Sequence, residues 1–195
     1  ASKMASNIEA VDEFLRDLAE HARAPAEQEV AELKAIATED GITELKPWDS
    51  SYYSEKLKMQ QFNLSQESLK PYFPAPKILQ GLFSILKRLY DIQVIEREAP
   101  VWHPDARYFE LEDQGEVIGG FYFDLYARQG KRGGAWMSGF RSRMQIAEGL
   151  QKPICYMVPN FTPPVGNRPA LLTHDEVITL FHEFGHGLHH MLTEV

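Results

Sequence analysis

The chain has 195 residues, of which 44% are hydrophobic and 25% charged, a composition typical of a globular protein. Its 20 Lys and Arg residues and 28 Asp and Glu residues give a formal net charge of -8. This charge argues against a nucleic-acid-binding protein, which needs positive charge to offset phosphate. The single cysteine, Cys155, excludes a disulfide within the chain and is typical of a reducing compartment.

No apolar run approaches the roughly 18 residues that a membrane-spanning helix needs. The N-terminus has no apolar stretch of the kind found in signal peptides, and its first residue is not Met. We therefore expect a protein with no membrane partner and no nucleic-acid partner, and the chain is expected to begin inside a longer sequence or after processing.

The first 90 residues have the apolar spacing of helices. Ser6 and Glu9, three residues apart, match a capping box at the start of the first helix. Pro25 suits the first turn of a second helix, and Gly41 would close it. The four predicted helices begin near Ile8, at Pro25, after Asp49 and near Ile78.

Aromatic and β-branched residues predominate after residue 91. Residues 107–111 and 116–126 have this composition and flank a turn at 113–115, which predicts an antiparallel hairpin. Further strands are expected near residues 135–140 and 154–158.

The order of the predicted elements indicates the fold class. Helices come first, a small and mostly antiparallel sheet follows, and one more helix ends the chain, so the fold is α+β and mainly helical. No repeat and no Gly/Ser linker marks an internal boundary. We therefore expect residues 1–195 to be a single segment, with helices over 1–90, the sheet over 91–165 and a last helix over 171–195.

The last helix has its polar and apolar residues on separate faces. Thr173 and Glu176 form a second capping-box pattern at its start. With His182 at zero on a helical wheel, His186 falls at about 40° and the apolar residues between about 160° and 260°. The apolar residues in that range are Val177, Leu180, Phe181, Phe184, Leu188 and Met191.

Residues 182–186 read H-E-x-x-H, a pattern with a direct chemical meaning. His182 and His186 lie one helical turn apart, so both imidazoles can bind one Zn²⁺ ion at about 2.0–2.1 Å. Glu183 is displaced by about 100° around the helix, where it can act as a general base on a zinc-activated water. The alternative is an exposed helix end that happens to be rich in histidine. We interpret the pattern as a zinc site.

Five of the seven histidines lie in the last 22 residues, but not all of them suit a metal. His189 lies about 10.5 Å along the axis from His182, too far for one ion to bind both on a straight helix. His189 and His190 are therefore expected to support the site or to lie on the surface, and His174 to have no metal role. A third protein ligand is needed. Glu194 is too close in sequence to fold back onto the site.

The segment 128–143 has five basic residues and no acidic ones. It can be interpreted as an attractive surface for an acidic substrate or a peptide carboxylate, or as a solvated loop. The second interpretation is the more common outcome for a run of charge.

The H-E-x-x-H helix also carries a family resemblance. Residues 173–190 resemble the active-site helix of the thimet-oligopeptidase family of zinc metallopeptidases, with its bacterial members most similar. The resemblance extends over essentially the whole chain, with familiar segments of that family at residues 46–49, 52–56, 101–105, 121–128 and 131–136.

The resemblance implies a zincin-like fold and a cytoplasmic zinc-dependent endopeptidase that cuts short peptides in a channel between two helical lobes. It assigns zinc binding to His182 and His186 and the catalytic carboxylate to Glu183. The family's third ligand, a glutamate on the next helix, and its carbonyl-binding groups come later in the sequence than residue 195. The chain is thus expected to be an internal segment of a monomeric parent several times longer.

A non-catalytic role is the alternative for the segment by itself. With two metal ligands and no third, it should bind zinc weakly and act at most as a structural or peptide-binding module. We also expect self-association of the segment if the apolar faces of the last helix and of residues 78–89 have lost their partners.

Overall fold

The computed structural model describes residues 4–63 and 65–194. They fall into two compact units, Ala1–Ser65 and Gln66–Val195. Within the described ranges no helix is both long and apolar enough to cross a membrane. The prediction that the whole chain is one segment of a larger catalytic domain stays a prediction.

The first unit is a pair of helices, α1 (Ile8–Glu39) and α2 (Ser50–Phe62), joined by a loop with a 3₁₀ turn at Pro47–Asp49. Its small core consists of Ile36 and Ala37 from α1 and Tyr53 from α2. The start of α2 after Asp49 confirms the sequence prediction.

Two expectations for this unit were wrong. A single helix runs from Ile8 to Glu39 through Pro25, where the sequence suggested two. Proline removes one backbone donor, but this segment is exposed, so water can satisfy the freed carbonyl, and alanines flank the proline on both sides. The N-cap is Asn7, not Ser6, because its Oδ1 accepts a hydrogen bond from the Ala10 backbone N–H at 2.8 Å.

The second unit holds two longer helices and two sheets. Its helices are α3 (Gln66–Leu69), α4 (Ala75–Tyr90) and α5 (His174–Leu192). Its strands are β1 (Gln93–Arg97), β2 (Arg107–Asp113), β3 (Glu116–Phe123), β4 (Met137–Arg141), β5 (Met144–Ile146), β6 (Gly149–Gln151) and β7 (Ile154–Met157).

The main sheet has the strand order β1-β2-β3-β7-β4, and β5 and β6 form a separate hairpin. Only the β3–β7 pair in the main sheet is parallel; the other three pairs are antiparallel. The predicted hairpin is confirmed as β2–β3, and Gln114 and Gly115 turn the chain with φ of 49° and 87°. The α+β fold with a small, mostly antiparallel sheet is thus confirmed, while β1, β5 and β6 were not expected.

Helices α4 and α5 cover one face of the main sheet. Phe83 of α4 lies 5.5 Å from Phe109 between ring centroids, and Phe184 of α5 lies 5.6 Å from Phe121. Phe109, Phe121 and Phe184 are each at most 3% exposed. Since side chains alternate along a strand, these contacts fix which residues of β2 and β3 face the helices.

A buried charge network joins the chain segments that follow β3 and β7. The carboxylate of Asp124, 2% exposed, accepts hydrogen bonds from Arg128 at 2.6 and 2.8 Å, Trp102 at 2.9 Å and Lys131 at 3.0 Å. The Lys131 ammonium also donates to the backbone oxygens of Asp124, Tyr126 and Pro159. Lys131 is only 5% exposed, so the solvated-loop interpretation of this basic segment was wrong at that position.

The network makes the stability of the second unit depend on acid pH. Burial by itself raises the pKa of Asp124, but the hydrogen bonds from Arg128, Trp102 and Lys131 outweigh it and lower the pKa from 3.8 to about 2. The ionised carboxylate therefore stabilises the fold fully above pH 4. We expect about 2 kcal/mol of unfolding free energy to be lost as the pH falls from about 4 to about 2, measured by urea denaturation.

Asp124→Asn tests the same network at neutral pH. The variant leaves Arg128 and Lys131 without their carboxylate, so we expect the free energy of unfolding to fall by roughly 3–5 kcal/mol at neutral pH. The variant should also show no further loss of stability from this site as the pH falls. Asp105→Asn is the matched control, because its carboxylate is 46% exposed and lies 3.7 Å from His103. Equal stability of the two variants would contradict the role given to Asp124.

Candidate active site

Helix α5 begins as its sequence predicted. The Glu176 backbone N–H donates to Thr173 Oγ1 at 3.1 Å, and the Thr173 backbone N–H donates to Glu176 Oε2 at 2.8 Å. These two bonds form the expected capping box and satisfy donors that the first helical turn leaves free.

The apolar stripe of α5 packs against the sheet. Leu180, Phe184 and Met191 are 1%, 3% and 0% exposed, so the expectation that this stripe lost its partners was wrong. The sheet face beside β3 and β7 covers it. Large exposed apolar side chains lie on α1, where Ile8 is 82% and Leu15 57% exposed, and on α4, where Leu89 is 68% exposed. Self-association of the chain stays a prediction, and α1 and the 78–89 face of α4 are the surfaces available for it.

Glycine is required where α5 lies closest to β7. A Cβ atom at Gly187 would lie 2.9 Å from Met157 Sδ and 3.3 Å from Cys155 Sγ. Met157 and Cys155 are both 0% exposed, so the contact lies in the buried core, where a shift of either side chain disturbs its neighbours. Burial raises the pKa of the Cys155 thiol to about 12, which makes it a packing residue and not a nucleophile. The close approach at Gly187 fixes the depth and rotation of the helix.

His182 and His186 lie side by side on the exposed face of the helix. Their Nε2 atoms are 3.1 Å apart and their ring planes are nearly perpendicular, at 85°. A hydrogen bond between the rings needs one Nε2 to carry a proton, whereas a metal needs both nitrogens unprotonated. Metal binding would therefore compete with this hydrogen bond for the same two atoms.

The two nitrogens fit a tetrahedral metal ion. With Zn–N bonds of 2.0–2.1 Å, two tetrahedral ligands lie about 3.3 Å apart, close to the observed 3.1 Å. Within residues 4–63 and 65–194, no group of three or more His, Cys, Asp or Glu side chains is placed to hold a metal ion. The donor set that the described residues provide is thus a pair of imidazoles.

Glu183 differs from the two histidines in its burial. It is 9% exposed, although it sits between two residues whose imidazoles face solvent. Its neighbour Phe184 packs against Phe121 and Phe123, which holds this part of α5 on the sheet. The helix places the carboxylate at the border between the packed face and the histidine face.

The other histidines take separate positions. His190 Nε2 lies 3.0 Å from the Arg141 carbonyl oxygen of β4, so this ring connects α5 to the edge strand. His189 is exposed and lines a cavity of about 370 Å³ together with His186 and His190. His174 is exposed in the first turn, with its ring centroid 6.0 Å from that of Phe73. None of the three joins the His182–His186 pair.

Comparison with known proteins assigns the family. A family model described as "Peptidase family M3" matches residues 1–195. The chain belongs to peptidase family M3. It is 56% identical to oligopeptidase A of Escherichia coli (strain K12), over 100% of this chain and 29% of that protein. The resemblance to the thimet-oligopeptidase family is confirmed.

More distant M3 relatives have different names. The chain is 39% identical to dipeptidyl carboxypeptidase of Escherichia coli (strain K12), over 97% of this chain and 28% of that protein. It is 30% identical to saccharolysin of Saccharomyces cerevisiae (strain ATCC 204508 / S288c), over 97% of this chain and 29% of that protein. The chain thus spans less than a third of the length of these M3 relatives.

Two residues that position α5 were not identified from the sequence. Gly187 was not singled out, although a glycine inside a helical pattern often has a packing reason. Arg143 donates from Nη2 to the backbone oxygens of Ile118 at 3.3 Å and Met191 at 3.1 Å, and so ties the end of α5 to β3. The sequence shows only that Arg143 belongs to a basic segment, not what it contacts.

Gly187→Ala tests the packing that orients the histidines. We expect a net loss of roughly 1–2 kcal/mol of unfolding free energy, because overpacking outweighs the better helix propensity of alanine. Chemical denaturation of the wild type and the variant measures the change.

Gly185→Ala is the matched control on the same helix. A Cβ atom at Gly185 has nothing within 4 Å, so alanine should stabilise the helix by up to about 1 kcal/mol. Two variants that change stability in the same direction would contradict the packing argument.

Proposed function

We propose that the parent of this chain is a zinc-dependent endopeptidase that acts on short peptides in the cytoplasm, as a monomer. The observation that carries the proposal is the 3.1 Å separation of the Nε2 atoms of His182 and His186, on a helix with the H-E-x-x-H pattern. Membership of peptidase family M3 supports the reaction class, and the names of the relatives support short peptides as substrates.

In this proposal each residue of the motif has one task. His182 and His186 hold the metal through Nε2 and must both be unprotonated there. Zinc, when bound, supplies a Lewis acid that polarises the scissile carbonyl and lowers the pKa of water. Glu183 is the general base: its carboxylate takes a proton from the attacking water and passes it to the leaving amine nitrogen.

The position of Glu183 suits that task. A carboxylate at the border of a packed face is held in place by its helix, while one edge of it stays accessible. The sequence neighbour Phe184 provides the anchor, with ring centroids 5.6 Å from Phe121 and 6.2 Å from Phe123. We infer that this anchor keeps the base from binding the metal directly, since it is turned about 100° from His182.

The remaining parts of the site are assigned to the rest of the parent. The chain covers 29% of the Escherichia coli relative, which leaves room for a third ligand and for groups that hold the substrate carbonyl. The exposed positions of His182 and His186 are consistent with a further element covering them.

Glu183→Gln in the parent protein tests the mechanism. The amide cannot accept the proton from water, whereas the two imidazoles are unchanged. We expect zinc content, measured by atomic emission, to survive, and turnover of a fluorogenic peptide to fall by about 10²–10⁴-fold, the usual contribution of a general base. Undiminished turnover would remove Glu183 from the mechanism.

The second candidate function concerns the 195-residue chain by itself. The described residues offer the metal two imidazoles and no third protein side chain. We therefore propose that the isolated segment is a structural or peptide-binding module that binds metal weakly.

We expect the purified 195-residue chain to cleave peptides negligibly, even with added zinc. The measurement is hydrolysis of a fluorogenic peptide, with the parent protein as the positive control. The contradicting result is robust cleavage that both a chelator and His182→Ala abolish. It would show that the isolated segment is itself a metallopeptidase and not only a binding module.

A further inference from the structure

A second cavity, of about 300 Å³, lies in the Gln66–Val195 unit on the face of the main sheet that points away from α5. Tyr156 lines it and alternates along β7 with Cys155 and Met157, which face α5 at Gly187. Two further aromatic residues, Trp102 and Trp136, complete its walls. The volume is at the small end of ligand sites and suits a group the size of one amino acid.

The charges beside the cavity do not balance. Arg128 and Lys131 line it together with a single carboxylate, that of Asp124. Each Asp124 oxygen already accepts two hydrogen bonds, so Asp124 has little capacity left for a ligand. The negative charge of Asp105 also raises the pKa values of Arg128 and Lys131, but its effect is smaller than that of Asp124. The cavity wall therefore carries an excess positive charge, which favours an anion.

Unused hydrogen-bond donors lie beside the same cavity. Arg128 gives two of its five N–H groups to Asp124, and its side chain is 25% exposed. Trp136 Nε1 is buried and has no hydrogen-bond partner in the part of the chain that the structure describes. A buried donor without an acceptor is costly, and a bound acceptor would remove that cost.

We propose that this cavity binds a carboxylate that is attached to an apolar group, as the C-terminal residue of a peptide presents it. Arg128 binds the carboxylate, a turn of the Trp136 ring brings its buried indole N–H to the same group, and the rings of Trp102 and Tyr156, 5.3 Å apart between centroids, contact the apolar part. The site involves neither His182 nor Glu183, so it does not depend on the proposed peptidase function.

The test uses the three tryptophans of the 195-residue chain as reporters. In a ¹⁵N–¹H spectrum we titrate N-acetyl-phenylalanine, and separately its amide and sodium acetate. The acid should shift the indole N–H signals of Trp102 and Trp136 saturably. The amide lacks the charge and acetate lacks the apolar part, so both should bind at least tenfold more weakly. Trp48, which is 77% exposed and belongs to the other unit, should not move.

Trp136→Phe removes the indole donor and keeps an aromatic ring. We expect it to weaken binding of the acid about tenfold, whereas Trp48→Phe, the matched control, leaves the affinity unchanged. The signals of Trp102 report binding in both variants. The comparison of acid and amide needs no variant, so it decides the question even where Trp136→Phe destabilises the fold.

Three results would overturn the proposal. The first is the absence of a saturable shift with the acid. The second is equal affinity for acid and amide, which would mean that the cavity binds apolar groups without regard to charge. The third is equal affinity for acetate and N-acetyl-phenylalanine, which would make it a simple anion site.

Discussion

The histidine pair depends on one packing contact, the close approach of α5 to β7 at Gly187. The absence of a side chain there lets the helix backbone lie against Met157 and Cys155, both fully buried. Because a helix is rigid over a single turn, the rotation set at Gly187 also sets the direction of the neighbouring histidine, His186. A bulkier residue would lift or turn the helix, and the imidazoles would move with it. The H-E-x-x-H motif in this fold thus owes its geometry to the apolar face behind it.

A second constraint acts on the loops at the end of the sheet. The Lys131 ammonium bonds backbone oxygens that follow β3 and one that follows β7, and Asp124 keeps that buried cation paired. Burial lowers the pKa of Lys131, and the hydrogen bond with Asp124 opposes that effect. The network therefore combines two roles. It holds β3 and β7 in register, and its surplus of positive charge shapes the cavity beside Arg128.

Much of the second unit could be predicted from the sequence because local signals dominate there. The capping box at Thr173, the turn at residues 113–115 and the H-E-x-x-H spacing each depend on a few adjacent residues. The rest depends on contacts between distant segments. Nothing local shows that the end of α5 binds Arg143, or that β1 pairs with β2, because these partners meet only after folding. The prediction at Pro25 was wrong for the opposite reason. Proline is a strong local signal for the start of a helix, but here one long helix continues through it.

We propose that the two imidazoles of the motif share one metal ion, and X-ray absorption at the zinc K edge measures this coordination. The 195-residue chain with less than one equivalent of zinc should show scattering from two imidazole nitrogens at about 2.0–2.1 Å. His182→Ala should lose one of them, whereas His174→Ala, which changes an exposed histidine in the first turn, should leave the spectrum unchanged. A spectrum without imidazole scattering, or one that His182→Ala does not alter, would contradict a metal ion shared by His182 and His186.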